Sequence, residues 1–508
     1  MADLLANAKK WRMTFYFVEL MKIKHSSNAT ATAALAHAMN RRTFLSRTGI
    51  GFGSAALSSM LASDLLAGLQ AGTLQHKNEL GLPHHDPKIK RVIFLCMAGG
   101  PSHLETFDYK PELEKQHGKP MPKSFTAGQP IAQLQGQALK CQRPMAPFKK
   151  HGKSGLQVCD YLTHQAKLAD DICVVKSMVT EQINHDPAHT FMNTGTAISG
   201  RPSMGSWINY GLGSECEDLP GFVVMTSIGG RNPQPIASRQ WSTGFLPSQY
   251  QGVQFNSTGD AVHFVRNPGG ISKRQQKELI DSISQLDSIR NQKIQNAEIA
   301  TKISAYELAF KMQTSVPELM DVSDEPQHVL DMYGCKPGDG TYGSNCLLAR
   351  RMAERGVRFI QLYHRGWDHH GDLDKYMKIC CKHTDQATWA LVTDLKQRGM
   401  LDDTLVVWGG EFGRTPMFQG KGGVGRDHHI KGFSMWLAGG GIKPGTTYGE
   451  TDELGYNAVK DIVHVRDLHA TILHMFGINH AKFTVKFQGL DMKLTGVEPA
   501  RVVKELFA

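Results

Sequence analysis

Short clusters of side chains along this sequence have the types and spacing to do chemistry. Ser102, His103 and Asp108 follow one apolar run, and His185, Asp186, His189 and Thr190 follow another. Asp368, His369, His370 and Asp372 stand in RGWDHHGD, Glu411 and Arg414 in GGEFGRTP, and Arg426, Asp427, His428 and His429 in GRDHHIKG. Singly each is weak: a His-His pair is commonly a surface turn, and a lone Glu at a strand end a solvated cap. Together they are informative, because carboxylates and imidazoles gathered in one place repel or desolvate one another unless a divalent cation compensates. Mixed Asp/Glu/His donors suit Zn, Mn, Fe or Ca rather than thiolate chemistry. Asp368 and His370 lie two apart and face one way on extended backbone, which turns His369 aside. The expected ligands are therefore Asp368, His370, Glu411 and His428. Such an ion would act as a Lewis acid and activate water. His185 or His103 would serve as general acid or base. Ser102 or Thr190 would be a nucleophile only beside such a base, and neither has a diagnostic neighbour. Arg414 and Arg426 are the candidates to hold an anionic ester bidentately.

These clusters need a scaffold that brings them to one edge. Val92 to Met97 is an unbroken apolar run, the pattern of a parallel strand buried on both faces. Further strands are expected over 170–178, 219–227, 356–364, 404–413 and 432–440. Helical patterns alternate with them, including a short helix capped by Ser203 and one over 465–479 ended by Gly477. The class is α/β with a mostly parallel sheet, in which chemistry collects at the carboxyl ends of the strands. Residues 272–315 have few breakers and charges spaced by three and four, so two or three helices are expected there, outside the sheet. Residues 110–158, rich in Pro, Gln and Lys, read as a long surface excursion.

Composition removes some function classes. The net charge of +10 is half concentrated in residues 1–70, where eight basic and three acidic residues leave +5. The remainder is mildly basic, with no Lys/Arg stripe interleaved with aromatics, so nucleic acid is not a partner. No run of about eighteen apolar residues exists, so no membrane-spanning helix is expected. Nine Cys, an odd number without zinc-type spacing, read mostly as small buried apolar residues, with one or two disulfides open. NRRTFLSRTGIGFGSAALSSMLAS, from Asn40, has twin arginines before a small-residue stretch and reads as a twin-arginine export signal. Residues 39–72 are assigned to it, residues 1–38 to a mis-called extension before Met39. The expected partners are then the twin-arginine translocase and a small substrate, with a periplasmic or secreted destination.

Several phrases carry a resemblance. DDTLVVWGGEFGRTP, GGGIKPG, VRDLHATILHMFGI and MNTG resemble segments of the sulfatase and alkaline-phosphatase superfamily. CMAGGPS, PSMGSWINYGLG, GWDHH, GEFGRTP and GRDHH resemble recurring phrases of a bacterial family of twin-arginine-exported, sulfatase-like proteins known as a domain of unknown function. The resemblance implies one domain over 88–496, an alkaline-phosphatase-like three-layer sandwich with helices on both faces of the sheet, and a tail over 497–508. It also implies departures. The formylglycine position falls on His185, with His189 where an Arg would stand. The place of the first metal-binding Asp is Gly99-Gly100, and an Asp-Asn/His pair has become Glu411-Phe412. A standard sulfatase mechanism is excluded, because no formylglycine can form from His. The implied function is a metal-dependent hydrolase of sulfate or phosphate esters with a non-standard site. The alternative is a non-catalytic exported module that keeps the fold and one ion. Trp207, Tyr210, Trp241 and Trp367 are the aromatics that would stack on a sulfated saccharide.

Overall fold

The structure is a computed structural model that describes residues 80–508 except 231–233, 263–271, 295–296 and 421–423. The export signal and the extension before it lie outside the described residues. Nine strands form the central sheet: β1 (Arg91–Ala98), β2 (Ile172–Val179), β3 (Phe222–Ile228), β4 (Val253–Phe255), β5 (Phe359–Arg365), β6 (Thr404–Gly409), β7 (Phe433–Ala438), β8 (Thr446–Tyr448) and β9 (Val463–His464). Their order is β8-β2-β7-β6-β1-β5-β3-β4, with β9 also paired to β2. The long strands lie where the apolar runs place them. The short edge strands β4, β8 and β9 carry too few residues to register as a pattern.

β1 is central because every second side chain is apolar on both faces. Ile93, Leu95 and Met97 enter one core with α5 (Tyr342–Glu354) and α6 (Leu373–Gln397). Val92, Phe94, Cys96 and Ala98 enter the other with α1 (His185–Thr194), α2 (Met204–Leu212) and α7 (Val465–Met475). Each large apolar side chain so buried contributes roughly 1.5–3 kcal/mol, which an edge strand cannot match. The result is three layers, a mostly parallel sheet between helices. The helical segment forms two helices, α3 (Lys273–Ile294) and α4 (Ala297–Met320).

β7 departs from the expected direction: it runs antiparallel to both β2 and β6. Its amino end therefore lies at the edge where the parallel strands end, and Phe433 pairs with Met178 near the end of β2. Residues just before β7 thus join residues just after the parallel strands. A two-residue ribbon completes the link, with His428 opposite Arg414 and His429 opposite Gly413.

Other expectations change. Residues 497–508 are no tail: Val503 and Leu506 are buried, and Phe507 pairs with Ile442. Residues 110–158 hold short helices, a hairpin and a small core shared with Leu104, Met417, Leu454 and Tyr456, and part of them reaches the site. All nine cysteines are free, eight of them buried. Trp207, Trp241 and Trp367 are buried in the cores, so none of the three is offered to a saccharide.

Candidate metal centre

The site starts at the end of β1. Gly99 and Gly100 have φ of +125° and +67°. A Cβ on Gly99 would stand 2.5 Å from the backbone nitrogen of Asp368, so only glycine lets the loop after β5 pass this closely. The turn also exposes two amides. Gly99 N–H donates to Glu411 Oε1 and Oε2 at 3.1 and 3.2 Å, and Gly100 N–H donates to Oε2 at 3.1 Å. Glu411 is fully buried, and those donors explain how a carboxylate is tolerated there.

α1 supplies the next group. Asn184 and Pro187 mark its start, and His185 is its first residue. One turn on, His189 lies on the same face. His185 Nδ1–H donates to Glu411 Oε1 at 2.7 Å, and His189 Nε2 is 3.4 Å from the same oxygen. Burial alone would lower the His185 imidazole, but its hydrogen bonds with Asp368 and Glu411 raise it above the ordinary value. Burial lowers His189 to about 4, against the pull of Glu411. Burial alone would raise Glu411, but His189 and His185 outweigh it and hold it at about 2.

The loops after β5 and before β7 complete the cluster. Asp368 Oδ1 lies 2.9 Å from His370 Nε2, 3.2 Å from His428 Nε2 and 3.3 Å from His185 Nε2. His370 and His428 Nε2 are 3.0 Å apart. The other ring nitrogen of each imidazole is committed. His185 Nδ1–H goes to Glu411, His428 Nδ1–H to the Ile183 carbonyl at 2.8 Å, and His370 Nδ1–H to Gln419 Oε1 at 2.7 Å. Three Nε2 atoms therefore face one carboxylate oxygen. Zinc–nitrogen bonds of about 2.0–2.1 Å place tetrahedral donor atoms about 3.3–3.4 Å apart, close to these spacings. The residues fit a divalent ion, with outer partners of the kind that orient metal-binding histidines.

Arg414 locks this arrangement. It donates Nη2–H to Asp368 Oδ1 at 2.6 Å and to the Gly99 carbonyl, Nε–H to the Gly100 carbonyl at 3.0 Å, and Nη1–H to the Arg426 carbonyl at 3.0 Å. Burial alone would raise Asp368, but Arg414 and the three imidazoles hold it far below the usual carboxylate range. Burial and Arg414 lower His428 to about 4.

Asp368, His370 and His428, expected as ligands, thus come together. Glu411 does not join these four; it stands behind His185, in a second possible ligand group with His185 and His189, and His185 takes the fourth position instead. The sequence offered part of this signal, since His185 and His189 are one helical turn apart and share a face. Arg414 is 1% exposed with four of its five donors committed inside the protein, so it positions Asp368 rather than a substrate. Arg426 is fully buried against Glu105, with Nη2–O at 2.7 Å, and also donates to the carbonyls of Thr415, Gln142 and Arg143. It ties down the 110–158 segment and, fully buried, is not presented to an ester. Asp427 does the same, accepting from Gln133 and Leu134 N–H at 2.6 and 2.9 Å. His103 is buried and donates Nε2–H to the Gly455 carbonyl at 2.8 Å, outside the cluster. Thr190 is spent on the Asp186 carbonyl one turn back, at 2.9 Å. The Ser102 hydroxyl is buried without a partner, so neither hydroxyl is paired with His185 as a base. His369 donates to the Gly366 carbonyl at 3.1 Å, beneath Tyr376.

Residues 89–507 match the family model described as "Protein of unknown function (DUF1501)". The chain belongs to that family. No curated protein matches it. Among solved structures it is similar to the lipoteichoic acid synthase LtaP from Listeria monocytogenes, at 10% identity over 83% of this chain and 80% of that one, with a TM-score of 0.33. It is similar to the PsFucS1 sulfatase from Pseudoalteromonas sp., at 13% identity over 80% and 71%, with a TM-score of 0.31. Alkaline phosphatase from the Antarctic bacterium TAB5 matches at 9% identity over 77% and 99%, with a TM-score of 0.31. Similarity at this level bears on neither substrate nor site.

Proposed function

We propose that the chain is a metal-dependent hydrolase of sulfate or phosphate esters, with a site rebuilt on imidazoles instead of a formylglycine. One observation carries this reading. Three imidazoles, each with Nδ1–H committed to an acceptor, aim their Nε2 atoms at Asp368 Oδ1 in a partly open edge of the sheet. Around a divalent cation these nitrogens are ligands; without one, a proton on His185 Nε2, shared with Asp368, takes its place. A divalent ion held by His185, Asp368, His370 and His428 supplies Lewis acidity to an ester oxygen. Three nitrogen donors favour zinc, iron or manganese; calcium, which prefers an oxygen shell, does not suit this set. Around the ion, Glu411 orients His185 and Arg414 fixes Asp368. With both expected arginines spent internally, Arg239 becomes the candidate for an ester's charge. It is partly exposed and paired with Asp186 beside His185.

A second reading, a non-catalytic module holding one ion, is favoured by a specific observation: neither Ser102 nor Thr190 is placed as a nucleophile. Elemental analysis of the purified protein, with aryl sulfate, aryl phosphate and phosphodiester substrates, separates the two. The hydrolase reading expects stoichiometric metal and turnover that Asp368→Ala and His185→Ala abolish. Metal without turnover of any substrate selects the second reading. No metal, or equal activity in all three proteins, sinks the site assignment. The twin arginines, Arg41 and Arg42, support export through the twin-arginine translocase. Periplasmic delivery that survives Lys at both positions would remove that part of the proposal.

A further inference from the structure

Among the three imidazoles, His370 is held differently. Its Nδ1–H donates to Gln419 Oε1 at 2.7 Å. Gln419 Nε2–H donates to Gln133 Oε1 at 3.1 Å. Gln133 Nε2 closes the ring, 3.3 Å from His370 Nε2. Donor and acceptor roles are consistent around this cycle only if His370 carries its proton on Nδ1. Its Nε2 lone pair then accepts from the Gln133 amide. That lone pair is the one aimed at Asp368 Oδ1 and at His428 Nε2. Asp368 Oδ1 and the His428 nitrogen are lone-pair bearers in this arrangement, so Gln133 is the group among the described residues that offers His370 Nε2 a proton. Among the described residues, His185 and His428 have no such amide on their Nε2.

We infer that Gln133 is a displaceable cap on His370: its side-chain amide and the ion compete for one lone pair. This rests on the metal reading of the site above. The two glutamines then have opposite effects although they sit in one ring. Gln419 fixes the Nδ1 proton and aims the ring, so it assists ion binding. Gln133 occupies the ligand nitrogen, so it opposes ion binding. Only the side chain needs to move. The Gln133 and Leu134 backbone amides are held separately by Asp427 Oδ2, at 2.6 and 2.9 Å. Gln133 is exposed, so its amide has water to turn towards when it leaves. The 110–158 segment thereby senses whether the site is loaded.

The test is Zn(II) titrated into the metal-free full chain, with affinity read by competition against a chromophoric chelator. Gln133→Met keeps the length and removes the donor. It is expected to tighten Zn(II) binding by about 2–10-fold, the worth of one net hydrogen bond. Gln419→Met is expected to weaken it by about 10–100-fold, as loss of an outer partner does. A merely structural brace would move both variants the same way. In the parent protein, Zn(II) should shift the Gln133 side-chain amide resonances and leave hydrogen-exchange protection of the Gln133 and Leu134 backbone amides unchanged. Unchanged or weaker binding in Gln133→Met overturns the cap while leaving the metal site standing. A parent protein that binds no Zn(II), Mn(II) or Fe(II) overturns the metal reading itself.

Discussion

Replacing Glu411 by Gln distinguishes an anchor from a ligand. The carboxylate accepts from Gly99 N–H at 3.1 and 3.2 Å, from Gly100 N–H at 3.1 Å and from His185 Nδ1–H at 2.7 Å, all within a fully buried setting. Gln has one oxygen. Its NH2 must face either the glycine amides or the His185 Nδ1–H, a donor against a donor. A hydrogen bond to a charged acceptor contributes about 1.5–3 kcal/mol, and a buried donor left unpaired costs about 1–3 kcal/mol. The metal-free variant should therefore lose about 3 kcal/mol or more. A loosened His185 should weaken metal binding by about 10–100-fold. The assay is urea unfolding in excess chelator, compared through the midpoint at constant m, with metal affinity measured in parallel. If Glu411 were a ligand, metal-free stability would hold or rise as a buried charge was removed, while affinity fell beyond that range. That pair of results would refute the geometry described here.

Arg426→Met should behave as a fold variant. Removing one partner of its buried pair with Glu105 should cost about 3–5 kcal/mol and leave metal affinity of the folded protein near that of the parent, by titration at low temperature. Gly99→Ala should destabilise by about 3 kcal/mol or more and expel the Asp368 loop, because the added Cβ meets backbone rather than a yielding side chain. Metal binding lost together with stability is the expected outcome; a neutral substitution would contradict the close approach. Acid sensitivity should track buried neutral histidines such as His469, lowered by burial to about 4 while donating to the Met192 carbonyl. Its folded value is depressed, so its contribution is present above about pH 6.5 and is lost as pH falls towards 4. Between pH 7 and 5 this is about 2 kcal/mol. His469→Gln should lessen the fall in urea stability over that interval by that amount, and an unchanged slope would assign the acid sensitivity elsewhere.

The sequence by itself determined the class of the fold and the chemistry of the edge. Runs such as Val92–Met97, apolar at every position, read as strands buried on both faces, and Asp/His phrases after such strands mark the carboxyl edge. The absence of formylglycine chemistry was also legible, since His185 has no hydroxyl or thiol to oxidise. Which groups meet was decided in three dimensions. A one-dimensional pattern does not give strand direction, and antiparallel β7 is what brings His428 to the ends of parallel strands. Nor does it say which donors a residue has already spent. Arg414 and Arg426 look like anion binders until their guanidinium protons are followed to buried carbonyls and carboxylates. Glu411 looks like a ligand until the two glycine amides that claim its oxygens are in place. Partner choice for a polar group depends on what the chain places within about 3 Å of it, and in this protein those partners come from segments hundreds of residues apart.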